Sequence, residues 1–128
     1  MTRTIIKTVD APDAIGTYSQ AVKVGKTVYI SGQIPLDPKT MEIATGGTKE
    51  HINQVINNLQ AIAKASGGSL KNIVKLNVFL TDLNDFALVN EVMANHFTEP
   101  YPARAAIGVA QLPKGVSIEM DAILYLDD

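Results

Sequence analysis

Apolar and polar positions alternate with a period of two along the end of the chain. Val116, Ile118, Met120, Ala122, Leu124 and Leu126 alternate with Ser117, Glu119, Asp121 and Tyr125. This is the pattern of a half-buried strand, with Glu119 turned away from the apolar face. Just upstream, Arg104, Ala106, Gly108 and Ala110 fall on one side of a second strand, and Ala105, Ile107 and Val109 on the other. Leu112-Pro113-Lys114-Gly115 separates the two as a turn. If that turn is centred between Pro113 and Lys114, the strands pair as a hairpin, with Gly108 opposite Glu119 and Arg104 opposite Ile123. Arg104, Gly108 and Glu119 then share a face.

The period changes over the rest of the chain. Residues 4–9 read as a first strand, ended by Ala11-Pro12-Asp13. Residues 21–24 and 27–31 flank Gly25-Lys26, a Gly-first two-residue loop suited to a type II′ hairpin turn. At Ser31-Gly32-Gln33 the glycine serves either a sharp turn or a close backbone approach to a ligand, the turn being the commoner use. Residues 35–47, with Pro35 and Asp37-Pro38, form an irregular loop. From Thr48, Ile52, Val55, Ile56, Leu59, Ile62 and Ala63 recur at three- and four-residue spacing, an amphipathic helix stopped by Gly67-Gly68. Residues 72–81 form a strand with Val74, Leu76, Val78 and Leu80 on one face. Asn84 or Asp82 caps a second helix that runs to about Phe97, with Phe86, Val89, Met93 and Phe97 as its buried stripe and Asn90 beside them. Glu99-Pro100-Tyr101-Pro102 is a stiff connector to Arg104. This order predicts an α+β sandwich: a mixed sheet with two helices on one face. The other face carries Ile123, Tyr125 and small residues, too apolar for plain solvent surface, so association is expected to cover it.

At 128 residues the chain is expected to be a single domain over residues 1–128. A hydrophobic share of 46% and a charged share of 19% exclude a disordered chain. The net charge of -2 leaves no electrostatic footprint for nucleic acid or an anionic membrane. The lack of Cys removes disulfides, thiolate metal sites and thiol nucleophiles together. No segment approaches the roughly 20 apolar residues of a membrane span, and the amino terminus lacks a signal-peptide pattern, so the cytoplasm is the expected compartment. No Gly-rich phosphate loop, HExxH, Ser-His-Asp order or Rossmann fingerprint is present, so no cofactor or metal is expected. His51, in the first turn of the first helix without a second ligand at helical spacing, reads as a surface residue. His96 reads as a satisfied structural one.

Arg104 and Glu119 are the candidate chemistry. A guanidinium grips a carboxylate through two parallel hydrogen bonds, and a nearby carboxylate holds or activates a water. The alternative is a structural ion pair, or two solvated positions on an exposed sheet face.

Pro102-Ala103-Arg104, Val109-Ala110, Leu112-Pro113 and Ile118-Glu119-Met120 resemble the signature of the Rid (YjgF) family of reactive intermediate deaminases. The resemblance continues through Ala14-Ile15-Gly16, Tyr18-Ser19-Gln20-Ala21, Ser31-Gly32-Gln33-Ile34-Pro35, residues 78–86 and Asn90. It implies a homotrimer of chorismate-mutase-like sandwiches with sites in clefts between subunits. It also implies hydrolysis of imine and enamine acids, such as 2-aminoacrylate and 2-aminocrotonate released by pyridoxal-phosphate dehydratases, to 2-keto acids and ammonia. In that reading Arg104 holds the substrate carboxylate and Glu119 orients the water. Backbone near Gly32 and Ala106, the hydroxyls of Ser31 and Tyr18, and Asn90 complete the pocket. Ala106 stands where many members have Cys, Thr17 where many have Pro, and Met41 where Gly is common. Two other classes are a non-catalytic module that senses 2-keto acids and, with less support, a ribonuclease or translation inhibitor, for which no basic run with interleaved aromatics is visible.

Overall fold

The computed structural model describes residues 2–127; Met1 and Asp128 lie outside it. Six strands form one sheet: β1 (Thr4–Ile6), β2 (Ala21–Val24), β3 (Thr27–Gln33), β4 (Ile73–Leu80), β5 (Ala103–Gly108) and β6 (Ile118–Tyr125). Two helices, α1 (Thr48–Ala65) and α2 (Phe86–His96), complete the fold. The spatial order is β1-β2-β3-β6-β4-β5, antiparallel throughout except for the parallel β4 and β5 pair. The sheet is therefore mixed, as the sequence pattern predicts.

The hairpin expected between β5 and β6 does not form. Residues 113–115 do make a turn, with Lys114 and Gly115 at φ of 58° and 70°, but the chain then crosses to the far side of β4. Glu119 pairs with Phe79, whose other neighbour is Ile107; Leu76 pairs with both Arg104 and Ala122. Alternation fixes which face a residue takes but carries no information about the neighbouring strand. Burial decides the order. Ile118, Met120, Ala122 and Leu124 of β6 are all buried, as a central strand requires, whereas no residue of β5 is, and its small side chains suit an edge.

α1 lies over β6 and β3 and against α2. Its apolar stripe, Ile52, Val55, Ile56, Leu59, Ile62 and Ala63, is fully buried. Glu50 accepts from the Gly47 amide at 2.8 Å at the start of α1, and Gly67, at φ 97°, follows its end. Asn58 is buried within the same stripe and donates to the carbonyl of Leu36 at 3.0 Å, which ties the 35–47 loop to the helix. His51 joins that tie: its Nε2 lies 2.8 Å from the Ala44 carbonyl, so it is half-buried rather than a free surface residue. His96 Nε2 meets Asn53 Oδ1 at 2.8 Å and links the helices; burial holds its pKa below the usual imidazole value. α2 begins later than expected, because Asp82 caps a 3-10 turn (Leu83–Asp85) that precedes it. Val92 joins Val89 and Met93 in its buried stripe.

Two strands depart locally from the predicted pattern. In β4 the register shifts between Ile73 and Lys75, so Val74 is 50% exposed and Ile73 takes its place in the core. β1 ends at Ile6, because the Gln20 side chain captures the following segment: Oε1 accepts from the Thr8 amide at 2.7 Å and Nε2 donates to the Pro12 carbonyl at 2.7 Å. The Gly25-Lys26 hairpin forms with Gly25 at φ 60°.

The helix-free face of the sheet stays open in a single chain. One row across it runs Ile5, Val22, Tyr29, Ile123, Lys75 and Ala103. Ile5, Tyr29 and Tyr125 are each about half exposed.

Candidate active site

Glu119 leaves β6 on the open face and leans across β3 onto Gly32. A Cβ built at Gly32 would stand 2.5 Å from Glu119 Oε2 and 3.0 Å from Cδ. Gly32 lies inside β3 without a left-handed φ, so its role is the close approach and not the sharp turn favoured from sequence. The register shift between Ile30 and Gln33 brings Ser31 and Gly32 out of the regular ladder there. Ser31 Oγ donates to the Ser19 carbonyl at 2.5 Å, and its amide to the Gln20 carbonyl at 3.0 Å, which fixes the loop that carries Tyr18.

These residues line a cleft of about 760 Å³ with Glu119, Tyr18, Ser31 and Gly32 on its walls, together with Ile15 and Met41. Its environment raises the Glu119 pKa, first through burial of the carboxyl and second through the Asp121 carboxylate on the same face. Asp121 is held by Asn77, whose Nδ2 donates to Oδ1 at 2.7 Å. A carboxylate with a raised pKa is a stronger base than a free one, and remains ionised near neutral pH only at a cost in solvation.

Arg104 occupies a different place. Paired with Leu76, it points to the helix side of the sheet, where Nη1 donates to Asn90 Oδ1 at 2.7 Å and approaches Met93 Sδ at 3.5 Å. Its Cζ stands 4.8 Å from the Phe86 ring centroid. Arg104, Asn90 and Met93 line a second cleft, of about 430 Å³, with Tyr101 and Pro102. Ala106 lies on the same side, paired with Val78 and packed against the core.

The seven residues singled out from sequence thus fall into two groups. Tyr18, Ser31, Gly32 and Glu119 converge on the open-face cleft; Arg104, Asn90 and Ala106 lie on the helix side. The expected shared face of Arg104, Gly108 and Glu119 does not exist within one chain, because β4 lies between β5 and β6 and its register puts Arg104 in one row with Leu76 and Ala122, on the face opposite Glu119. Nor do the two form an ion pair. Phe86 and Met93 enter the Arg104 environment although the sequence pattern placed them only in a core stripe. Their i, i+4, i+7 spacing with Asn90 was the available signal, since residues so spaced share a helix face. Asp121, two residues after Glu119, was signalled by strand alternation in the same way. Among the described residues no three His, Cys, Asp or Glu side chains gather as metal ligands, and no helix is long and apolar enough to cross a membrane.

Residues 8–126 match the family model described as Endoribonuclease L-PSP. A RutC family protein of Pyrococcus abyssi is 51% identical over 125 residues, covering 98% of each chain. The human 2-iminobutanoate/2-iminopropanoate deaminase is 49% identical over 121 residues, covering 94% of this chain and 88% of that one. Among solved structures, a RidA from an Antarctic Psychrobacter superposes with a TM-score of 0.93 at 58% identity, covering 96% of this chain and 99% of that one.

Proposed function

Since this chain belongs to the Rid (YjgF) family, we propose that it is a cofactor-independent deaminase that hydrolyses 2-imino acids and their enamine tautomers to 2-keto acids and ammonia. The observation that carries this reading is the Glu119 carboxyl, its pKa raised, held against Gly32 in a cleft lined by Tyr18 and Ser31. Relatives named as 2-iminobutanoate/2-iminopropanoate deaminases support the choice of substrate.

In the proposed reaction Arg104 holds the substrate carboxylate and so places the imine carbon beside a water that bonds to Glu119. The water oxygen attacks the carbon of the protonated imine as Glu119 takes one water proton, and the C=N pair moves to nitrogen, which leaves a neutral carbinolamine. Glu119 returns that proton to the amino nitrogen and then accepts the hydroxyl proton as the carbonyl forms, while the C–N bond pair departs with ammonia. The Tyr18 and Ser31 hydroxyls and the backbone at Gly32 and Ala106 provide the surrounding dipoles, and Asn90 supports Arg104.

The two charges sit on opposite faces of one chain, so this chemistry takes Arg104 from one subunit and Glu119 from the next. A homotrimer with a site in each cleft between subunits provides that pairing and covers the open apolar face. The test is keto acid release from a pyridoxal-phosphate threonine or serine dehydratase reaction with and without the protein. The wild-type protein is expected to accelerate release. Arg104→Lys, which keeps the charge and loses the planar fork, is expected to lose about 2 kcal/mol of transition-state binding. Release at the spontaneous rate across several enamine substrates would overturn the reading.

A further inference from the structure

The hydrogen-bonding contacts of Arg104 with α2 all use one nitrogen of its guanidinium. Of the five N–H donors, two are on Nη1, two on Nη2 and one on Nε. Nη1 has two neighbours, Asn90 Oδ1 at 2.7 Å and Met93 Sδ at 3.5 Å. Phe86 covers a face of the plane, with its ring centroid 4.8 Å from Cζ. Among the described residues, Nη2 and Nε donate to nothing. Phe86, Asn90 and Met93 follow each other at i, i+4 and i+7, so a single face of α2 supplies all three contacts.

We propose that this face of α2 is a cradle that occupies Nη1 and one face of the guanidinium, so that Arg104 takes the substrate carboxylate side-on through its Nε–Nη2 edge, with Phe86 as the positioning residue that sets the plane. The inference rests on the reading of Arg104 as the carboxylate grip. An end-on grip through Nη1 and Nη2 would bring the carboxylate onto the nitrogen that already contacts Asn90 and Met93. A side-on grip leaves every α2 contact in place and still offers two parallel donors to two carboxylate oxygens. The aromatic face restricts rotation about the plane, so the approach direction of the substrate is fixed before it binds.

Arg3 and Arg104 are the only arginines in the chain, so a nitrogen-15 correlation spectrum contains two arginine Nε–H signals, which Arg3→Lys tells apart. Titration of the full-length protein with 2-oxobutanoate is expected to move the Arg104 Nε–H signal saturably. Phe86→Leu is expected to weaken 2-oxobutanoate binding about fivefold by calorimetry, and Phe86→Tyr to restore it, the usual scale for a lost cation–aromatic contact. If 2-oxobutanoate binds while the Arg104 Nε–H signal stays still, the side-on grip is overturned. Equal affinity for wild type and Phe86→Leu overturns the positioning role. Should Phe86→Leu fail to fold by circular dichroism, Asn90→Ala replaces it: weakened binding supports the cradle, and unchanged affinity overturns it. These readouts need no turnover. A protein that binds in this way yet leaves keto acid release unchanged refutes the deaminase reading and leaves the cradle standing, whereas a wild type that does not bind 2-oxobutanoate refutes the grip itself.

Discussion

Glu119 is where the proposed chemistry and the stability of the fold conflict. Its folded pKa is raised, by burial first and by Asp121 second, so the unfolded chain gives up this proton at a lower pH than the folded one. Ionised Glu119 therefore costs stability, a cost present in full above the folded pKa and absent below the ordinary carboxylate range. Glu119→Gln is expected to raise the melting temperature at pH 7, with the gain shrinking as the pH falls towards 4. The same substitution removes the base, so turnover should drop by a factor of about 10² or more while 2-keto acid binding persists. In the wild type, the acid limb of kcat/KM should lie above the pH expected of a free glutamate. Gly32 separates placement of this carboxyl from its presence. The methyl group of Gly32→Ala would collide with Oε2 and Cδ of Glu119, the far end of a flexible side chain that can swing aside. Stability should change by less than about 1 kcal/mol while turnover falls at least tenfold; unchanged kinetics would show that the contact with Gly32 does not place the base.

Local turns within the loops carry strain that can be measured. Met41 holds a φ of 61°, a conformation that costs a residue with a Cβ about 1–2 kcal/mol. The turn around it is well tied: the Met41 amide donates to the Asp37 carbonyl at 2.7 Å, and the Asp37 amide to the Glu42 carbonyl at 2.9 Å. The backbone thus keeps the conformation a glycine would take, although Met stands there. Met41→Gly should stabilise the fold by about 0.5 kcal/mol, the relief of strain exceeding the extra chain entropy lost, and calorimetry or urea unfolding checks it. Met41 also lines the Glu119 cleft, in keeping with the tendency of strained backbone to sit at sites. Among the larger elements, the period of three and four in α1 matched every buried apolar residue of the stripe, to which the structure adds Asn58, since a helix buries whatever its spacing places on one side.

For the molecule as a whole, the unsettled surface is the open face of the sheet. Tyr29, Ile123 and Tyr125 expose apolar area that a lone chain leaves in water. On the trimer reading, Ile123→Asp puts a carboxylate into a covered face at a cost of several kcal/mol, and light scattering should show the mass falling towards that of a monomer. The core lies on the other side of the sheet, so the far-ultraviolet circular dichroism of the variant should stay native. A wild type that scatters as a monomer at micromolar concentration would remove the intersubunit site.

By itself, the order of residues determined which side chains of one strand or helix share a face. Strand alternation sent Glu119 away from the core and Arg104 to the opposite parity from Ile107, and helical spacing marked Ile52 through Ala63 as the stripe of α1. Periodicity is local, a consequence of the geometry of one strand or one helix. Which strand lies beside which is a long-range choice, and only the tertiary structure decided it. There β6 enters between β3 and β4 because its apolar side can be buried along its whole length, and β5 is left at the edge with its alanines and glycine. That choice turned one imagined site into two half-sites, because the register through β4 lines Arg104 up with Ala122 instead of Ile123, a one-residue difference that puts the guanidinium and the carboxylate on opposite faces of the sheet.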